Sequence, residues 1–212
     1  RYGTNEQYRE LSRAARERGM GLVWDVVVNH VGDRHWFFRD PPSPDWVNLP
    51  AERTITNHVH STVQDPYAAP ADRELFARGW FDGHMPDLNQ SNPLLATYLV
   101  QNVIWWIEYA DLAGLRIDTY PYSKREFMAD FSRRITTEYP NFNMVGEEWH
   151  SDPAIVSYWQ KGKVNADGYV SHVPALMDFP LQKALVDALV VPESLHVGFK
   201  NLYERISTDF LY

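Results

Sequence analysis

Two stretches decide the fold of this chain: Gly114-Leu115-Arg116-Ile117-Asp118-Thr119 and Asn143-Met144-Val145-Gly146-Glu147-Glu148-Trp149-His150. Each is a short apolar run that ends in an acidic residue. Between them lies an amphipathic stretch. Ser123-Lys124-Arg125-Glu126 opens it as a capping box, and it closes near Tyr139 before Pro140. A strand, a helix and a second strand in that order make a unit whose strands run parallel. Asp118 and Glu147 then stand at the same ends of neighbouring strands.

The pattern continues on both sides. Thr4-Asn5-Glu6-Gln7 reads as a capping box, followed by an amphipathic helix to about Arg18 that Gly19 and Gly21 close. Leu22 to Val28 is an apolar run broken only by Asp25, the signature of a strand buried on both faces, and Asn29-His30 sit at its C-terminal end. Residues 31–91 are rich in Pro, Asp, Trp and His and lack helical periodicity; they predict a long irregular excursion with a few short strands. Excursions of that length are uncommon without a function. Asn92-Pro93 caps a long helix to about Leu112. Downstream, Asp152-Pro153 opens a short helix, 175–179 predicts a strand, Pro180 starts another helix and 194–208 reads as helical. This alternation predicts an α/β fold with a parallel sheet and helices outside it. A doubly wound sheet and a (β/α)8 barrel both fit. Acidic residues at the C-terminal strand ends match the place where barrel enzymes carry their chemistry.

The composition is globular: 44% of the 212 residues are hydrophobic, enough for a sizeable core. Aromatics make up 14%, which suits a sugar-binding surface and suits a large core equally well. A net charge of −8 without any Lys/Arg run disfavours nucleic acid and anionic membrane surfaces as partners. No apolar run reaches the ~20 residues of a membrane span. Cysteine is absent, which excludes disulfides, thiolate catalysis and Cys-bound zinc. Cytosol, periplasm and medium all stay open as compartments.

Side chains at i and i+2 share a strand face, so Arg116 and Asp118 point the same way. An Arg beside an Asp keeps the carboxylate ionised, as a nucleophile requires, though the pair also reads as a structural ion pair. Glu147, after Gly146 and beside Trp149, reads as having a partly apolar surround that would keep a general acid protonated, though taken alone it also reads as a solvated loop Glu. Glu148 points the other way and receives no role. Two carboxyls facing one cleft are the minimum equipment for glycoside cleavage. His30, His58, His60 and His84 have no spacing that matches a zinc site. Gly79 to Gln90 reads as one wall of the cleft, and Trp46, Trp80 and Phe81 are candidates for stacking on sugar.

The order and spacing of these signals resemble the α-amylase family of glycoside hydrolases. Asp25-Val-Val-Val-Asn29-His30 resembles its first motif, Gly114-Leu-Arg116-Ile-Asp118 its second and Gly146-Glu147-Glu148-Trp149 its third. Met85-Pro86-Asp87-Leu88-Asn89 resembles an extra motif of the neopullulanase and cyclomaltodextrinase branch. The resemblance implies a partial (β/α)8 barrel, about its third to sixth strands. Residues 1–30 and 92–212 would belong to the barrel, and 31–91 would be a small domain inserted between the third strand and third helix. It implies an internal fragment, because the family's fourth motif and first two barrel strands are absent. It further implies retaining cleavage of α-1,4-glucosidic bonds in starch-like glucans, pullulan or cyclodextrins. Asp118 would be the nucleophile and Glu147 the acid/base. Arg116 would orient Asp118, His30 would bind sugar at the cleaved bond, and Asp25 would support the strand ends. Trp80 and His150 complete the expected substrate-binding set. Pro121 and Tyr122 stand where many calcium-binding members have Lys-His. No cofactor is then required, and any calcium ion would involve Asn29. A transglycosylase or isomerase of the same family, or a non-catalytic carbohydrate-binding relative, are the alternatives.

Overall fold

A computed structural model describes residues 3–49, 51–192, 194–195 and 197–208. Four parallel strands, β1 (Val23–Val26), β2 (Gly114–Ile117), β3 (Asn143–Gly146) and β4 (Ala175–Leu176), form one sheet in the order β1-β2-β3-β4. The order never reverses, so every right-handed crossover leaves its helix on the same side of the sheet. A doubly wound sheet needs a reversal, and these strands have none.

The helices are α1 (Asn5–Arg16) before β1, α2 (Trp36–Arg39), α3 (Pro70–Arg78) and α4 (Pro93–Ala110) between β1 and β2, α5 (Arg125–Glu138) and α6 (Pro153–Ser157) in the next two crossovers, and α7 (Phe179–Val190) and α8 (Phe199–Ile206) after β4. The capping box at Thr4 forms as read: Gln7 N–H donates to Thr4 Oγ1 at 3.3 Å and Thr4 N–H to Gln7 Oε1 at 2.9 Å. Asn92 caps α4 by accepting from the Leu94 and Leu95 amides. That helix stops at Ala110 because Asp111 turns left-handed (φ 49°). Arg16 seals this end by binding the Asp111 carbonyl and carboxylate.

Leu115 and Ile117 of β2 and Met144 of β3 are fully buried against Leu95, Val103 and Ile107 of α4 and Met128, Phe131 and Ile135 of α5. Gly146 admits the Tyr120 ring close beneath β3; a Cβ there would lie 3.0 Å from Tyr120 Cδ2 and from Leu176 Cδ2.

Three expectations change. Ser123 does not cap α5. The helix begins at Arg125, because the buried Ser123 hydroxyl donates to Asn29 Oδ1 (3.4 Å) and the Lys124 amide donates to Gln90 Oε1. Residues 31–91 contain isolated bridges in place of short strands, together with α2, a 3₁₀ turn at His60–Val63, and α3. Only Ala175 and Leu176 of the expected 175–179 strand pair, since Asp178 turns away to cap α7 through the Leu181 amide.

Candidate active site

The ladder register aligns Asp25 with Arg116 and Arg116 with Val145. Arg116 therefore projects on the face opposite Leu115 and Ile117, beside Asp25 of the neighbouring strand. One guanidinium then gathers three carboxylates. Its Nη1 lies 2.7 Å from Asp25 Oδ1 and 2.5 Å from Asp118 Oδ1, and its Nη2 contacts Glu147 Oε1. Burial works against the Arg116 charge. The hydrogen bonds of Asp25 and Asp118 and the charge of Glu147 outweigh it, so its pKa is raised and it stays a cation.

Backbone bonds just past the ladder hold both carboxylate residues in place. Asp118 N–H donates to Val26 O and Glu147 N–H to Ile117 O, each at 2.9 Å. Thr119 is left-handed (φ 44°), an uncommon state for a β-branched residue that costs on the order of 1–3 kcal/mol. The turn aims its N–H at Glu147 Oε2 (2.9 Å) and leaves its own buried hydroxyl without a partner. Local strain is spent where it orients a carboxylate.

His30 lies beside this group. Its ring stacks on Phe81 (5.3 Å between centroids, 18°), and the Asn29 side chain contacts its Nδ1 at 3.3 Å. Burial lowers the His30 pKa, and the charge of Asp118 opposes that only in part. The imidazole therefore stays neutral, able to share a hydrogen bond with a hydroxyl, to lower pH than an ordinary His.

Two expected site residues fall elsewhere. Trp80 is a core residue, 0% exposed, with its indole N–H on Asn48 O (2.8 Å) and its ring edge-on to Phe38. Trp46 is buried as well. The half-buried Phe81 is the insert aromatic that reaches the site, because adjacent residues of an extended segment face opposite ways. Trp149 does not surround Glu147 with apolar surface: it is 71% exposed and stacks on Phe179 (5.1 Å, 8°). His150 lines a cleft of about 420 Å³ with Trp149, Phe179 and Lys183. Replacing Trp80 with Ala should therefore cost about 3–5 kcal/mol of stability, as for other buried Trp deletions. Denaturant unfolding and maltooligosaccharide titration check this together. Unchanged stability with weakened sugar binding would return Trp80 to the binding surface.

The Asn29 carboxamide is occupied by Ser123 and His30. Among the described residues no three His, Asp or Glu side chains form a group that could hold a metal ion. The side chains around Asn29 do not supply the cluster of oxygen ligands that a calcium ion takes. No helix among the described residues is long and apolar enough to cross a membrane.

Sequence reasoning missed Glu148. Its side chain is 0% exposed and both oxygens are bonded, to His60 Nδ1 and to Trp159 Nε1. The doublet Glu147-Glu148 at a buried strand end was the available signal.

A unidirectional parallel sheet, helices on one side and acidic residues at the C-terminal strand ends make up the layout of a (β/α)8 barrel enzyme. The chain belongs to the α-amylase family: the family model described as "Alpha amylase, catalytic domain" matches residues 1–190. It is 26% identical over 189 residues to the intracellular maltogenic amylase of Bacillus subtilis, covering 88% of this chain and 28% of that protein. It is 27% identical over 193 residues to a cyclomaltodextrinase of Thermoanaerobacter pseudethanolicus, covering 88% and 29%. Its structure matches the α-amylase of Geobacillus thermoleovorans complexed with acarbose, with a TM-score of 0.71 and 26% identity over 96% of this chain and 40% of that one. The chain thus spans under a third of the length of these curated relatives. Its sheet is a section of the family's barrel.

Proposed function

We propose that this chain carries the nucleophile and the acid/base of a retaining glycoside hydrolase acting on α-1,4-glucosidic bonds. The observation that carries the reading is the capture of Asp118 and Glu147 by one guanidinium at the ends of adjacent strands. Two carboxyls that face one guanidinium from adjacent strand ends, in a chain of the α-amylase family, support the covalent route. Asp118 attacks the anomeric carbon as Glu147 protonates the leaving oxygen. Glu147 then takes a proton from water, which opens the glycosyl-enzyme.

Arg116 and Asp25 hold the pair in register, and neutral His30 contacts the sugar at the cleaved bond. His150 and Phe81 extend the binding surface, and residues 31–91 act as a small inserted domain that walls the cleft. The chemistry needs no cofactor. Relatives named maltogenic amylase and cyclomaltodextrinase, and one solved with acarbose, support starch-like glucans or cyclodextrins as substrates. Proton NMR of the first product released by the full-length protein from maltooligosaccharides should show the α-anomer before mutarotation. Initial release of the β-anomer would overturn the retaining mechanism.

A further inference from the structure

Directly after Glu147 the chain buries a second carboxylate that the proposed chemistry does not use. Glu148 accepts from Trp159 Nε1–H at 2.8 Å and contacts His60 Nδ1. His60 Nε2 lies 3.0 Å from the Tyr122 hydroxyl, which in turn lies 3.0 Å from His58 Nδ1. One direction of donation satisfies every member. With Glu148 accepting from Trp159 and from His60 Nδ1–H, His60 Nε2 accepts from Tyr122, whose oxygen accepts from His58. The Tyr122 hydroxyl stays protonated, because burial, then the charges of Glu148 and Glu147, raise its pKa.

The network joins three distant parts of the chain. His58 and His60 come from the 31–91 segment, Tyr122 follows β2, and Glu148 and Trp159 follow β3. His58 holds a left-handed backbone (φ 54°) there, and the Phe76 ring of α3 stacks on Tyr122 at 4.8 Å. A buried carboxylate is costly unless fully bonded, and a buried pair of this kind adds little net stability. What it supplies is fixed geometry. Glu147 itself is held by its amide on Ile117 O, its carbonyl under the Tyr120 amide, and its Oε2 on the Thr119 amide. The next side chain anchors the strand exit from the opposite side.

We propose that Glu148, His60 and Tyr122 are positioning residues for Glu147, tying residues 58–60 to the β3 exit so that the acid/base carboxylate meets the glycosidic oxygen. This rests on the reading of Glu147 as the acid/base. An acid out of place slows only those substrates whose leaving group needs its proton. That separates positioning from general structural support.

The test uses the full-length protein with soluble starch and with α-maltosyl fluoride, whose fluoride leaves without a proton. His60→Gln, whose amide reaches the place of Nε2 and abandons Glu148, and Glu148→Gln should each lower kcat on starch about 10²-fold with KM little changed. Their kcat/KM for the fluoride, which ends at glycosyl-enzyme formation, should stay near wild type. His60→Asn, whose amide takes the place of Nδ1 and keeps the Glu148 bond, should recover most of the starch activity. Tyr122→Phe removes one oxygen from a packed ring and should show the same substrate split, more weakly; it carries the test if Glu148→Gln does not fold. Equal losses on both substrates, or wild-type kcat on starch, would overturn the proposal. If Asp118→Asn is inactive while these variants behave as wild type, only the positioning role falls. If Asp118→Asn keeps its activity, the hydrolase reading falls instead.

Discussion

Asp118→Asn should abolish turnover of α-glucans by the full-length protein, by on the order of 10⁴-fold or more, while leaving sugar binding nearly intact. The amide is close in shape to the carboxylate but has no charge with which to attack the anomeric carbon. The surroundings tolerate the change. Arg116 keeps its contacts to Asp25 and Glu147, so its cation is not orphaned. The Asp118 backbone is held by its own amide on Val26 O, which the substitution does not touch. Stability should therefore change little, and the loss should appear in kcat. Initial rates on soluble starch together with a maltooligosaccharide binding isotherm measure both quantities. A variant that keeps more than about a hundredth of wild-type turnover would remove Asp118 from the chemistry.

Glu147→Gln should lower turnover of starch by roughly 10²–10⁴-fold, the range for losing a general acid–base group. Its signature is the dependence on leaving group. An α-glycosyl fluoride should still form the glycosyl-enzyme at a near-normal rate, because the departing fluoride needs no proton. The second step should then stall, since no base remains to activate water, and the intermediate should accumulate. Added azide needs no base, so it should restore turnover and yield an α-glycosyl azide. The Gln carbonyl can still accept from Thr119 N–H, while its NH2 then replaces the oxygen that met Arg116 Nη2, so that one contact is lost. Equal losses for starch and fluoride, with no response to azide, would show that Glu147 is not the acid/base.

Parts of this architecture are legible one segment at a time. The apolar runs at 23–26, 114–117 and 143–146 mark strands, although β1 is a partly exposed edge, with Val23 58% exposed, and not the strand buried on both faces that its sequence reads as. Thr4 and Asn92 mark helix starts because a cap needs a short polar side chain and three or four following residues. The position of Asp118 beside Arg116 follows from the two-residue repeat of a strand. Ser123 shows the limit of that reasoning. Its local sequence is a sound capping box, yet its hydroxyl is taken by Asn29, far away in the chain. Local preference amounts to about 1 kcal/mol, and a buried polar partner outweighs it.

The sequence by itself determined the alternation of strands and helices, the strand ends that carry Asp118 and Glu147, and the family pattern that joins them. Each of these rests on residues close together in the chain, where backbone geometry sets which side chains share a face. Only the tertiary structure decided that Arg116 reaches Asp25, Asp118 and Glu147 at once, since that depends on the register between strands. It also decided that Trp80 packs inward while Phe81 meets His30, and that His60 reaches Glu148. Those outcomes come from packing an irregular 61-residue segment, 31–91, against strand ends. Many weak long-range contacts set them jointly, and no short stretch of sequence encodes their sum.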